Sequence, residues 1–267
     1  MTAGQLLAVN AAALLLAFSS LWGVSLAKKD ASIVDLFWGP SFALVALLGL
    51  ILGGAQGPRP GLVAALVTLW GARLGLHLFL RNRDKPEDYR YAEMRHHHGA
   101  RFPLVSLFTV FSLQALLVLV ISTPIVVVMA SDARGQMGWS DAIATGLMLT
   151  GIWLESVADL QLRSFLRNPQ NRGKVLDSGL WRYSRHPNYF GDAVVWWSLG
   201  LFGLASGSWL SLLGPALMTF LLLRVSGVSL LEKTIRQRRP EYAQYIATTS
   251  PFLPLPKRRT RASGVWS

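Results

Sequence analysis

Long apolar segments, separated by short polar ones, make up most of this chain. A helix needs about 20 apolar residues to cross the ~30 Å hydrocarbon layer of a bilayer, and several segments approach that length. We predict seven membrane-spanning helices, at about residues 6–27, 33–54, 62–80, 104–130, 142–162, 189–204 and 209–231. The pattern therefore predicts an all-α polytopic membrane protein, with residues 1–255 forming a single membrane-embedded domain and residues 256–267 a basic tail.

The composition agrees with the apolar pattern, since 52% of the residues are hydrophobic and only 15% are charged. Such proportions exclude an ordinary soluble domain. The first apolar segment is too long for the core of a signal peptide and ends without a clear cleavage site, so we expect it to be retained as a span. The absence of cysteine excludes a disulfide framework and a thiolate-based metal site, so any redox chemistry must come from a bound cofactor.

Basic residues are unevenly distributed between the two sides of the predicted bundle. The chain has 26 Lys and Arg against 14 Asp and Glu, a formal net charge of +12. Among the basic residues outside the spans, only Arg59 and Arg134 fall on one side, so the positive-inside rule makes the opposite side cytosolic. This places the N-terminus outside, and the C-terminus and the active face in the cytosol. Anionic headgroups account for the charge without a nucleic-acid partner.

Ionisable residues inside the predicted spans or at their ends are candidates for function, because a charge in the bilayer interior is costly unless it is paired. These residues are Asp35, Arg73, Glu155, Asp159, Asp192, Arg224 and Glu232. Internal ion pairs are the structural alternative, and an Asp35–Arg73 pair could serve both purposes. His96, His97 and His98 are consecutive and cannot easily converge on one ion, so we predict a solvated or headgroup-facing loop there and no metal site.

A cationic segment follows the fifth predicted span. Asp159 and Arg163 lie four residues apart and share a face if the helix continues, and Arg167 and Lys174 come soon after. Arg forks and Lys ammonium groups at such spacing suit phosphate oxygens. A second polar segment offers aromatic faces, amide donors and further cations, from Tyr183, Arg185, His186, Asn188 and Tyr189. The two segments together predict a site for a ligand that carries both phosphate and a ring.

The order of these residues resembles the steroid 5-alpha-reductase C-terminal family, and more closely its bacterial branch of uncharacterised membrane proteins. The resemblance covers roughly residues 30–255, and its most specific piece is SRHPNYFG at residues 184–191. It implies a seven-helix membrane reductase that binds NADPH from the cytosol and reduces a lipid carbon–carbon double bond conjugated to a carbonyl. It also implies a bacterial inner membrane. We expect a lipid substrate that enters from the bilayer, and no required protein partner is evident from the sequence.

The resemblance also assigns residues to the cofactor, position by position. The implied NADPH-binding positions are Asp159, Arg163, Lys174, Tyr183, Asn188 and Asp192. Asp192 stands in place of the family's usual Glu, a shorter carboxylate with the same charge. Neighbouring polar residues complete the predicted cofactor site, and these are Arg167, Arg185, His186, Tyr189 and Glu232.

The residues at the positions where steroid reductases polarise their substrate differ in this chain. Those enzymes carry a Gln-Glu pair on span two and a His-Tyr pair on span three, whereas this chain has Asp35 on the former and His77 followed by Leu78 on the latter. A different lipid is therefore expected, and a sterol, an unsaturated fatty acyl chain and a polyprenyl compound are all open. Candidates for the group that polarises the substrate are Asp35, Arg73, His77, Tyr89 and Tyr91. We favour an Asp35–Arg73 unit assisted by Tyr91.

The same motif leaves a second function open. Residues 185–191, followed by Glu232 and residues 242–251, are also similar to membrane methyltransferases of the isoprenylcysteine and phospholipid type, which bind S-adenosylmethionine. In their pattern the last helix ends in an adjacent acidic pair, whereas Lys233 follows Glu232 here. The basic series at residues 163–174 suits a polyphosphate better than a sulfonium, which favours NADPH. A non-catalytic lipid-binding or lipid-flipping protein is the third possibility.

Overall fold

The computed structural model describes residues 1–131, 137–225 and 242–257. Within these residues the chain forms helices and no strand, so the predicted all-α class is confirmed. The α-helices are α1 (Ala3–Lys28), α2 (Ile33–Leu52), α3 (Pro58–Asn82), α4 (Tyr89–His98), α5 (Phe102–Ser106), α6 (Leu113–Ile121), α7 (Thr123–Met129), α8 (Trp139–Arg167), α9 (Pro187–Ala205), α10 (Leu213–Phe220) and α11 (Tyr242–Thr248). Short 3₁₀ turns occupy Gly99–Arg101, Pro169–Asn171, Gly179–Arg182 and Trp209–Leu212, and π-helical turns occupy Leu107–Ser112 and Leu221–Val225.

Five helical stretches in the described residues are long and apolar enough to cross a membrane, and these are α1, α2, α3, Tyr89–Ile121 and α8. The chain is therefore an integral membrane protein. The sixth predicted span falls in α9, which is not among the five because Asn188 and Asp192 make its first turns polar. The seventh appears as a shorter apolar helical stretch, Trp209–Val225, and its remainder lies outside the described residues.

The fourth predicted span begins earlier and is less regular than its apolar pattern indicates. Helix α4 starts at Tyr89, in a polar segment, because Asp88 caps it. The Asp88 carboxylate accepts a hydrogen bond from the backbone N–H of Arg90 at 3.0 Å, which satisfies one of the unpaired donors of the first turn. Further along, the π-helical turn at Leu107–Ser112 and a break before Pro124 interrupt the stretch. Apolar pattern alone therefore located this span but not its start.

The chain divides into two compact units. Unit 1 comprises Met1–Ala142 together with Leu199–Gly214. Unit 2 comprises Ile143–Ser198 together with the described residues from Pro215 onward. Helices α1 to α7 thus belong to unit 1, whereas most of α8, the first part of α9 and all of α11 belong to unit 2.

Helices α2 and α3 form the centre of unit 1. A Cβ atom on Gly39 would lie 2.6 Å from the carbonyl oxygen of Gly71, so the two backbones approach closely only because both residues are glycine. Beside this crossing the rings of Phe42 and Trp70 pack with their centroids 5.9 Å apart, and both side chains are fully buried. This apolar contact holds the two helices in a fixed register, which in turn fixes the positions of the polar residues near their ends.

A buried ion pair links α3 to the first turn of α8 within unit 1. Nε of Arg59 donates to Oδ1 of Asp141 at 2.6 Å, and Nη2 donates to Oδ2 at 2.9 Å. The backbone N–H of Gly138 also donates to Oδ2, at 2.9 Å. Asp141 is inaccessible to solvent and Arg59 is nearly so. Arg59, which the apolar pattern leaves outside the spans, is therefore buried because its charge is matched by a bidentate partner.

We expect single substitutions in this pair to destabilise the protein far more than replacement of both residues. Arg59→Met leaves the Asp141 carboxylate buried without its partner, a loss of about 3–5 kcal/mol, and Asp141→Leu does the same to the guanidinium. The double variant removes both charges and should recover most of the loss. Thermal unfolding of the four proteins in one detergent measures the coupling. A double variant as unstable as the sum of the two single variants would show that the residues act independently.

Candidate functional site

The polar motif at the start of α9 lies where this helix crosses α8 in unit 2. A Cβ atom on Gly191 would lie 2.8 Å from the backbone nitrogen of Glu155 and 2.9 Å from the carbonyl oxygen of Gly151. Only glycine allows the helices to approach this closely. The approach brings Asn188 to α8, where its Nδ2 donates to Oδ1 of Asp159 at 3.2 Å. The crossing therefore positions the amide of Asn188 next to a carboxylate on the neighbouring helix.

Acidic and basic residues at four-residue intervals line one face of α8. Glu155 and Asp159 are buried, Arg163 is half-buried, and Arg167, the last residue of the helix, is exposed. Because α8 continues without a break through Arg167, Asp159 and Arg163 do share a face. This face grades from buried carboxylates to an exposed guanidinium. Glu232, which was also predicted for the site, lies outside the described residues.

The other residues predicted to bind the cofactor occupy different environments in unit 2. Tyr183 is 45% exposed, and Lys174 is also exposed. His186 is buried, and its ring stacks on that of Tyr189 with the centroids 5.4 Å apart and the planes 5° from parallel. Asp192 is half-buried on α9. Exposed side chains in this set are accessible to a ligand, whereas His186 packs inside the protein.

Arg185, which the sequence analysis assigned to the cofactor, is buried and bonded to main-chain carbonyls. Its Nη1 donates to the carbonyl oxygens of Ile246 and Thr249, each at 2.8 Å. Its backbone N–H donates to the carbonyl oxygen of Ser250 at 2.9 Å. The partners of the guanidinium lie 61 and 64 residues further along the chain, so spacing within the motif could not reveal them.

Unit 1 contains a second polar cluster, near the start of α2. Oη of Tyr91 donates to Oδ1 of Asp35 at 2.9 Å, and Nη2 of Arg90 donates to Oδ2 of Asp35 at 3.1 Å. Tyr91 is buried and Asp35 is half-buried. Arg73 is half-buried on α3, as is His77. The structure thus brings Asp35 and Tyr91 together, and Arg90 also contacts Asp35, a contact that the sequence analysis did not predict. The Asp35–Arg73 unit stays a prediction.

Sequence reasoning missed the polar network that orders the connection between α3 and α4. Asp88 accepts a hydrogen bond from Nε of Arg90 at 2.9 Å, and its backbone N–H donates to Oγ of Ser32 at 2.8 Å. Glu87 accepts from Nη2 of Arg95 at 2.8 Å. Burial raises the pKa of Asp88, but the hydrogen bonds from Arg90 outweigh this effect and hold the pKa below its usual value. The alternation of acidic and basic residues between 83 and 95 was the available signal.

The predicted loop at the three consecutive histidines is wrong. His96, His97 and His98 form the last turn of α4, because the helix continues until Gly99, where the backbone turns to a positive φ of 49°. His96 and His97 are exposed on this turn. On this turn the rings of His97 and His98 pack edge to face, with their centroids 4.8 Å apart.

The fold and its buried polar clusters define the class of the protein, an all-helical integral membrane protein. The chain belongs to the family described as "Protein of unknown function (DUF1295)", whose pattern matches residues 21–249. This is a steroid 5-alpha-reductase-like family, in agreement with the resemblance seen in the motif. Membership is consistent with an enzyme and leaves the reaction class open.

Two relatives in fungi illustrate how far the similarity extends. An uncharacterised protein of Schizosaccharomyces pombe is 30% identical over 260 residues, which cover 88% of this chain and 75% of that protein. A probable O-methyltransferase of Ustilaginoidea virens is 38% identical over 80 residues, which cover 29% of this chain and 27% of that protein. No solved structure matches the chain.

Gly191→Ala should destabilise the crossing that positions Asn188. The added Cβ meets backbone atoms of α8, which cannot rotate away, so we expect a loss of about 1–3 kcal/mol. Gly146→Ala is the matched control. Gly146 lies on α8, the other helix of the crossing, and nothing lies within 4 Å of its added Cβ. That variant should be neutral or stabilised by up to about 1 kcal/mol through its higher helix propensity. Thermal unfolding compares the two, and equal stability would contradict the close crossing.

Proposed function

We propose that this protein is an NADPH-dependent membrane reductase that reduces a carbon–carbon double bond in a lipid or steroid-like substrate. The observation that carries the proposal is the graded face of α8. There a buried carboxylate, Asp159, is bound by Asn188, and the guanidinium groups of Arg163 and Arg167 follow at the helix end. Membership of a steroid 5-alpha-reductase-like family supports the same conclusion.

The residues of unit 2 fit NADPH by the chemistry of their donors and acceptors. Arg163 and Arg167 can donate charge-assisted hydrogen bonds to phosphate oxygens, and Lys174 adds a point charge. The Asp159 carboxylate accepts from amide donors, as its bond with Asn188 illustrates, and ribose hydroxyls or a carboxamide offer similar donors. A phosphate-rich dinucleotide would therefore meet cations at the helix end and acceptors deeper along α8.

Bound NADPH would supply a hydride to the electron-poor carbon of an alkene conjugated to a carbonyl. Such a reduction would leave negative charge on the carbonyl oxygen, which this chain would have to stabilise with a hydrogen-bond donor, and the neighbouring carbon would take its proton from water. On the substrate side we propose Asp35 and Tyr91 of unit 1: Oη of Tyr91 donates its single proton to Oδ1 of Asp35 in this structure, and the phenol would turn from the carboxylate to the carbonyl oxygen when the substrate binds. A preorganised donor stabilises the developing negative charge most in a site that excludes water. Arg90 holds Asp35 from the opposite oxygen.

We further propose the predicted topology of seven spans with a cytosolic C-terminus. In unit 1, Lys28 and Lys29 end α1 and Arg81 lies in the last turn of α3, at the same end as Asp35. The opposite end carries the amino group of Met1. This group donates to the carbonyl oxygen of Gly53, just after α2, at 3.1 Å. The positive-inside rule places the end with the basic residues in the cytosol, where NADPH is available.

An S-adenosylmethionine-dependent membrane methyltransferase is the second candidate. One observation favours it, the 80-residue similarity to a probable O-methyltransferase of Ustilaginoidea virens. The cationic end of α8 argues against it, because the sulfonium of S-adenosylmethionine is itself positively charged. The two candidates therefore differ in the sign of charge that the site must attract.

Thermal unfolding with each cofactor tests the proposal directly. The protein in detergent should unfold at a higher temperature with NADPH and not with S-adenosylmethionine. Arg163→Ala should weaken NADPH binding about tenfold, because a charge-assisted hydrogen bond is lost. Arg182→Ala removes the same charge from an exposed position in the same unit and should leave the affinity unchanged. A shift with S-adenosylmethionine alone would establish the methyltransferase instead, and no shift with either would favour a non-catalytic lipid-binding protein.

Substitutions in the unit 1 cluster should separate binding from catalysis. Asp35→Asn and Tyr91→Phe should leave NADPH affinity unchanged and lower turnover by about 10²–10⁴-fold, because they alter the proton donor. NADPH oxidation in the presence of a membrane lipid extract measures turnover. Tyr89→Phe, on the same turn but 61% exposed, is the matched control and should keep full activity. A loss of NADPH affinity in the first two variants would remove Asp35 and Tyr91 from the substrate side.

A further inference from the structure

The turn that leads into α9 is bonded along its length to residues 242–257, a segment that we call the strap. Besides the three bonds of Arg185 described above, Oγ of Ser184 donates to the carbonyl oxygen of Phe252 at 2.8 Å. The backbone N–H of Leu255 donates to the carbonyl oxygen of Tyr183 at 3.0 Å. Three consecutive residues of the turn thus contact the strap, and most of these bonds involve main-chain atoms, whose positions are set by the fold.

Aromatic side chains reinforce the same contact. The rings of Phe190 and Phe252 meet edge to face with their centroids 5.8 Å apart. Tyr245, on α11, is buried, and its hydroxyl donates to the carbonyl oxygen of Trp181. Apolar burial and hydrogen bonds therefore act together, so the strap and the turn form one packed element rather than two surfaces that touch through isolated polar contacts.

We infer that Arg185 is a positioning residue, which holds the strap against the turn that carries Asn188 and does not itself bind the cofactor. Arg185 as a whole residue is only 7% exposed. Its Nη1 donates to two carbonyl oxygens of the strap. A phosphate that took this guanidinium would leave those carbonyls buried without a donor, which is unfavourable. The identity of the cofactor as NADPH rests on the proposed function, whereas the contact between Arg185 and the strap does not.

The consequence for binding is indirect. Arg185 lies three residues before Asn188, and the turn between them sets where α9 begins. If the strap leaves the turn, Asn188 loses its fixed approach to Asp159 on α8. Removal of Arg185 should therefore weaken NADPH binding by loosening the turn, and any other device that fixes the strap should restore the affinity without restoring the charge.

A disulfide across the contact can serve as that device. Ser184 and Ser250 are paired in a parallel bridge, a spacing of about 5 Å that is compatible with a disulfide. The chain has no cysteine of its own, so Ser184→Cys with Ser250→Cys introduces the only two thiols. Arg185→Gln is made in this background and purified oxidised, so the tether supports folding, and the same sample is then reduced. Arg182→Gln in the same background is the matched control, since it removes an equal charge from an exposed position of the same turn.

Two readouts are compared, hydrogen–deuterium exchange over residues 245–255 and the affinity for NADPH. Reduction of the Arg185→Gln protein should raise the exchange and weaken NADPH binding about tenfold, oxidation should restore both, and the control should show neither change. Restored protection without restored affinity would show that Arg185 contacts the cofactor directly, and would overturn the inference. So would an exchange that does not rise on reduction. If the parent protein does not bind NADPH at all, the proposed function fails, and the exchange alone decides whether Arg185 holds the strap.

Discussion

A buried charged side chain has to find its partner inside the protein, because it has lost the water that would otherwise solvate it. Arg59 and Asp141 meet this requirement with a bidentate pair in unit 1. Arg185 meets it in unit 2 with main-chain carbonyls of the strap. In both places the guanidinium is buried because the surrounding helices fix its partners. Buried charge in this protein therefore first indicates how the chain is held together, and the burial of a charge does not by itself point to a ligand.

This constraint explains why the SRHPNYFG motif does not identify the cofactor by itself. Gly191 is required by the close crossing of α8 and α9, and Ser184 and Arg185 hold the strap. Asn188 contributes a side-chain contact to the acidic face of α8, through Asp159. A motif built largely from architectural residues can be shared by membrane enzymes that use different cofactors. The distinction between NADPH and S-adenosylmethionine then depends on the residues at the end of α8, of which Arg163 is half-buried and positioned on the same face as Asp159.

Local features of the fold could be predicted from the sequence, and long-range ones could not. Helices α1, α2, α3 and α8 follow from continuous apolar segments, and the shared face of Asp159 and Arg163 follows from their spacing of four. The start of α4 was missed because its first turns are polar and depend on the Asp88 cap. The bonds of Arg185 to main-chain carbonyls were not predicted for a different reason, since these partners lie more than 60 residues away and no periodicity encodes such a contact.

The most direct measurement is the transfer of deuterium from NADPH labelled at C4 of the nicotinamide to a membrane lipid extract, followed by mass spectrometry of the lipids. Both C4 diastereomers are used, so that hydride transfer from either face of the nicotinamide is detected. An NADPH-dependent reductase should yield a lipid that has lost one double bond and gained one deuterium from the cofactor and one hydrogen from water. Absence of deuterium in the lipids with either diastereomer, together with transfer of a labelled methyl group from S-adenosylmethionine, would contradict it.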